Sequence, residues 1–116
     1  MVSTQGNDSV EFYSTDVAGN TQSTQTQTFK IDTAAPTTTA SLSGTVGLAG
    51  WYTSSVTVTL NQSDATSGVA QTLYSLNGGS TWQTYSSPFM VSTQGNDSVE
   101  FYSTDVAGNV VTKLLA

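Results

Sequence analysis

Cysteine, histidine and arginine are all absent from this chain, and only two lysines stand against eight acidic residues, for a formal net charge of -6. Each shortage removes a class of function. Two cations cannot neutralise a phosphate backbone, so no nucleic-acid binding is expected. The same shortage argues against docking on an anionic membrane. No apolar run approaches the ~18 residues of a spanning helix, so no membrane insertion is expected. Without histidine or cysteine there is no imidazole base, no thiolate nucleophile, no Ser-His-Asp triad and no zinc site of the usual kind. The start of the sequence lacks the charged and apolar regions of a signal peptide, so an exported protein would carry this stretch as an internal piece.

What is present is hydroxyl. Threonine occurs 21 times and serine 17 times in 116 residues. Thr, Val, Tyr, Phe and Trp suit a pleated, half-buried surface, whereas good helix formers are scarce. Disorder competes, because polar uncharged residues abound. The aromatics, however, sit inside alternating segments, which favours a folded all-β chain. A disulfide-free domain of this length can bury roughly two thirds of its unfolded surface around one core.

The most informative feature is a repeat. Residues 1–20 read MVSTQGNDSVEFYSTDVAGN, and residues 90–109 repeat them letter for letter, 89 residues later. That period exceeds the ~20–50 residues of solenoid units and suits a whole β-sandwich. The sequences after the two occurrences differ. Residues 1–31 therefore read as the last two strands of a preceding repeat, a hairpin plus linker, and residues 32–116 as one complete unit. Pro36 in IDTAAP fixes φ and holds its predecessor extended, which makes the joint a short, stiff linker.

Within the complete unit, alternation and turn chemistry predict seven strands. They span 37–42, 56–60, 69–76 (with Leu73 facing the core), 81–85, a short piece around Phe89 and Val91, 99–104 and 110–115. Turns fall at SDATSG (63–68), NGGS (77–80), QGND (94–97) and DVAGN (105–109). The expected fold is an all-β, seven-stranded antiparallel sandwich with the duplicated hairpin at its N-terminus.

The ordered segments IDTAAP, GWYTSSVTVTL, SDATSGV, YSLNGGSTWQTY and VEFYSTDVAGN resemble bacterial extracellular immunoglobulin-like (fibronectin-III-like) repeats of surface and secreted multidomain proteins. The resemblance covers about Ile31 to Asn109. It implies an Ig-like fold, a cell-surface or extracellular location in a bacterium, and a non-catalytic module flanked by neighbouring repeats.

Three kinds of site are weighed. Carboxylates occur mainly in turns, where Asp caps its own backbone, and no paired general acid and base stands out, so no catalytic residues and no enzyme activity are expected. Calcium needs six to eight oxygens. Asp32 in the linker, Asp64 in SDATSG, and Asp105 with Asn109 in DVAGN are its candidate ligands, with Asp16 and Asn20 as the earlier counterparts. The competing reading makes DVAGN a plain turn with Gly108 at positive φ. Beyond structural calcium no cofactor is expected. Trp51 and Trp82 are candidate glycan platforms, against the alternative that both close the ends of the core.

The function read from this is a structural spacer module, with a carbohydrate- or protein-binding accessory module of an adhesin or extracellular enzyme as the alternative. Residues 1–20, the first strand and turn of the hairpin, are identical to residues 90–109 of the complete unit. This identity predicts self-association by strand exchange into a homo-oligomer.

Overall fold

The computed structural model describes residues 1–111 and 113–115. Among these there are nine strands and no helix, hence none long and apolar enough to cross a membrane. The chain divides into two compact units, Met1–Thr33 and Ala34–Ala116.

The first unit is a two-stranded antiparallel hairpin of β1 (Gly6–Phe12) and β2 (Gln25–Ile31), paired from Gly6↔Ile31 to Phe12↔Gln25. Between the strands lies the first DVAGN turn.

The second unit holds β3 (Thr37–Ser43), β4 (Val56–Ser63), β5 (Val69–Ser75), β6 (Gln83–Thr84), β7 (Phe89–Val91), β8 (Glu100–Asp105) and β9 (Leu114–Leu115). They form two antiparallel sheets, of order β3-β4-β7 and β6-β5-β8-β9. One core serves both. Val58 and Leu60 of β4 meet Phe101 of β8 and Val99 just before it, with Ala40, Tyr74, Tyr85, Phe89, Val91 and Leu114 packed around them. The Tyr74 and Phe89 rings stack at 3.9 Å, and Tyr85 meets both edge-on.

Alternation explains which residues point inward. In β8, Phe101, Ser103 and Asp105 are buried while Glu100, Tyr102 and Thr104 are half-buried. Polar groups inside the sandwich are paired. Thr38 Oγ1 donates to Ser103 Oγ at 2.7 Å across the two sheets, and Ser103 Oγ lies 2.8 Å from Thr72 Oγ1. Thr72 and Ser103 are direct cross-strand partners, the placement in which short hydroxyl side chains bond.

Three local expectations are corrected. Leu73 is only half-buried, and Thr72 holds the buried position instead. A register shift between Val69 and Gln71 reverses the parity of the strand that follows. The strand expected at 81–85 shrinks to Gln83–Thr84. The preceding turn extends through Thr81, whose N–H donates to Asn77 Oδ1 while Asn77 Nδ2 donates to Thr81 Oγ1. Among the described residues, the strand expected at 110–115 is reduced to Leu114 and Leu115, with an isolated bridge at Val110 and a Val111 N–H bond to Ser103 O at 3.1 Å. Thr112 of that strand, and Ala116 at the end of the second unit, lie outside the described residues.

The duplicated sequence supplies an internal comparison. Glu11 pairs with Thr26, and 89 residues on Glu100 pairs with Leu115. Phe12 pairs with Gln25, and Phe101 with Leu114. The bridges Thr15↔Thr21 and Thr104↔Val110 correspond as well. Register is therefore the same although the second strand differs in sequence. A turn and loop of fixed length set it. The surroundings differ: Val10 and Phe12 are 40% and 51% exposed, whereas Val99 and Phe101 are 4% and 3% exposed. Strand extent differs too. Gly6–Ser9 belong to β1, but the identical residues Gly95–Ser98 lie outside any strand.

Candidate functional site

The DVAGN turn has one geometry in both units. The Asp105 N–H donates to Asn109 O at 2.9 Å and the Gly108 N–H donates to Asp105 O at 3.1 Å. The corresponding bonds at Asp16 are 2.8 and 3.0 Å. Asp105 Oδ1 accepts the Asn109 N–H at 2.8 Å and Oδ2 accepts Asn109 Nδ2 at 2.9 Å. Asp16 and Asn20 repeat this at 2.8 and 3.0 Å. Gly19 and Gly108 sit at φ 93 and 99, a region glycine enters freely. The side-chain bond from Asn20, and then its backbone N–H, hold the Asp16 carboxyl below its ordinary pKa.

The SDATSG turn is capped in the same style. Asp64 Oδ1 accepts the N–H groups of Thr66, Ser67 and Gly68 at 3.0–3.1 Å. The two turns are tied together, since Val106 N–H donates to Gly68 O at 2.9 Å and Ala107 N–H donates to Ser67 Oγ at 3.2 Å. Topology thus brings Asp64 and Asp105 to one end of the sandwich, with a carboxylate oxygen of each within 4.8 Å of the other. Asp105 is 1% exposed and Asp64 half-buried. Five donors from the two turns compensate this close pair of negative groups. Asp32, half-buried, directly follows β2 in the first unit.

At another part of the second unit, the β3–β4 connection and the β7–β8 connection border a cleft of about 720 Å³. Leu42, Val58, Val91 and Val99 supply apolar lining, and Gln94, Asn96 and Asp97 supply polar groups. The β3–β4 connection is a tight hairpin. Gly47 N–H donates to Trp51 O at 2.7 Å, and Val46 bridges Tyr52. Its tip holds Ala49 at φ 55, a left-handed conformation unusual for a residue with a Cβ. Trp51 and Tyr52 line the cleft and are 57% and 37% exposed.

Trp51 therefore does not close the core, contrary to the reading that placed both tryptophans there. The tight β3–β4 hairpin carries it out beyond the buried cluster. Trp82 is half-buried, set edge-on to Tyr102 at 5.0 Å, with Lys113 Nζ 5.8 Å from its ring centroid. It is absent from the lining of the cleft, so the two tryptophans do not make one platform.

Sequence reasoning offers Tyr52 beside Trp51 as a sugar-stacking candidate, but misses Leu42, Val91, Asn96 and Asp97 as members of this cleft. Only the pairing of β4 with β7, from Val56↔Val91 to Val58↔Phe89, brings their two loops together. No local pattern encodes that pairing.

No family model matches the chain, and neither a curated protein nor a solved structure does.

Proposed function

We propose that the chain is a non-catalytic structural spacer, a piece of a tandem array of immunoglobulin-like sandwiches displayed outside a bacterial cell. The observation that carries this reading is the recurrence of one hairpin, in one register and with one turn geometry, 89 residues along the chain. An array built at that period repeats a whole sandwich. The strand order β3-β4-β7 against β6-β5-β8-β9 supports the immunoglobulin-like part. Chain passage between sheets after β4, β6 and β7 is of the Greek-key kind. The absence of cysteine and the surplus of acidic and hydroxyl residues support a solvated bacterial module.

Five hydrogen bonds already directed at Asp64 and Asp105 favour turn capping over an ion at that end. A calcium reading would add Asp32, which five residues of chain, a reach of about 17 Å, tether to the start of β3. The test of the spacer is length. Chains of one, two and three 89-residue periods, compared by small-angle scattering, should lengthen by a constant increment per period. A maximum dimension that stops growing would defeat the proposal.

One observation favours the alternative of a binding module. The cleft joins exposed Trp51 and Tyr52 to amide and carboxylate groups, the composition of a sugar subsite. Saturable binding on a glycan array, lost in Trp51→Ala but kept in Trp82→Ala, would favour the binder over the spacer.

A further inference from the structure

We propose that Asn77 is a site of spontaneous modification held closed by its own turn, with water as the co-reactant. When the turn at 77–81 opens, the side-chain amide condenses with the next peptide nitrogen, loses ammonia and hydrolyses to aspartate or isoaspartate. Asparagines stand at 7, 20, 61, 77, 96 and 109, and Asn77 alone is followed by glycine. The reaction needs that neighbour. The Gly78 nitrogen gives its proton to solvent base and attacks Cγ of Asn77, an approach that a side chain at 78 would obstruct. A Cβ at Gly78 would meet nothing within 4 Å, and Asn77 is exposed, so water and base have access to the pair. Burial therefore does not protect this amide.

Hydrogen bonding does. Asn77 Oδ1 accepts the Ser75 hydroxyl at 2.8 Å and the Thr81 N–H at 3.0 Å, while Nδ2 donates to Thr81 Oγ1 at 2.7 Å. The anchor at Ser75 is firm. Ser75 is 1% exposed, and its Oγ also accepts the Gly79 N–H at 2.9 Å. The amide is thus stretched between the last residue of β5 and the far side of the turn. Ring closure swings Cγ toward the Gly78 nitrogen and takes Nδ2 away, so the ring closes only after these bonds part. Three bonds, each worth about a factor of five in population, make the open form about a hundredfold rarer.

The step balances without an oxidant. A bond forms between Cγ and the Gly78 nitrogen, the Cγ–Nδ2 bond breaks, and the nitrogen leaves as ammonia with a proton from solvent. Water then opens the cyclic imide at either carbonyl. Opening at Cγ restores the normal backbone with a carboxylate at 77. That carboxylate still accepts from Ser75 Oγ and the Thr81 N–H, and takes the Thr81 hydroxyl as a third donor. Opening at the main-chain carbonyl routes the backbone through Cβ and Cγ. The turn is then one carbon longer, which disturbs the pairing of Tyr74 with Gln83 that joins β5 to β6. Either product adds a negative charge to a turn against which Glu100 already lies, its Oε2 3.4 Å from the place of a Gly79 Cβ.

The test incubates the full chain at mildly alkaline pH in heavy-oxygen water, folded and in urea, and reads conversion at 77 by peptide mapping. Conversion in the folded chain is expected to be about a hundredfold slower than in urea. Thr81→Val removes the acceptor of Nδ2 from an exposed side chain. It should speed conversion about fivefold and leave the urea midpoint unchanged. The Thr81 amide is bonded to Asn77 Oδ1, so its hydrogen-exchange protection should match the slowing of conversion within about tenfold. Equal rates in the folded and unfolded chains, or a faster rate in the folded one, would overturn the proposal. So would a Thr81→Val rate equal to that of the unaltered chain, or exchange protection outside that tenfold range.

Discussion

Ser103→Ala is expected to destabilise the sandwich far more than its small volume change implies. Ser103 is 0% exposed and bonds both Thr38, 4% exposed, and Thr72, 2% exposed. Removing its hydroxyl strips two buried groups of a partner, and each orphaned group costs about 1–3 kcal/mol. Some re-pairing brings the total to about 2–4 kcal/mol. For a unit of this size each kcal/mol is worth about 4–8 °C, so a fall in Tm of roughly 8–30 °C follows. The molecule contains its own control. Ser14 has the same neighbours in sequence, but only its backbone is engaged, with Gln22. Ser14→Ala should change stability by less than about 0.5 kcal/mol. The triple change Thr38→Val, Thr72→Val and Ser103→Ala should regain most of the loss, because no buried hydroxyl then lacks a partner. Thermal and urea unfolding followed by tryptophan fluorescence measure all three. Equal effects of Ser103→Ala and Ser14→Ala, or a triple variant no better than the single one, would refute the reasoning.

Phe101→Ala should cost about 3–5 kcal/mol as a large core truncation, and Phe12→Ala less than about 0.5, both read from urea midpoints. Asp16 should titrate below an ordinary aspartate, because hydrogen bonds from Asn20 favour its ionised form. Its contribution to the first turn is therefore complete above the unfolded-state value and disappears as pH falls through the depressed folded-state value. The Asn20 amide resonance should follow that single low-pH step. If Asp64 and Asp105 serve as turn caps, chelator and added calcium should leave Tm unchanged. A tight ion at 100 times its Kd would instead raise stability by about 2.7 kcal/mol.

The all-β character was legible because alternation in Val56–Leu60 and 99–104 is a local signal that burial only reinforces. Turns were equally legible where side chains close them locally, as at Asp64, Asn77 and Asp105. What resisted reading was set at a distance. The parity of Leu73 depends on a bulge that exists only against β8. The cleft depends on β4 meeting β7. The clearest case is GNDSVEF. It is strand throughout in β1, paired with β2, whereas within 95–101 the strand covers Glu100 and Phe101. The seven residues by themselves do not distinguish the two.

The DVAGN turn also orders events in folding time. Its bonds join residues four apart, and loops this short close in well under a microsecond. The β4–β7 and β5–β8 ladders instead join residues roughly thirty apart and must first meet the entropy of closing those loops. Both hairpins are therefore nucleated from within, and the ladders that close the sandwich form after them.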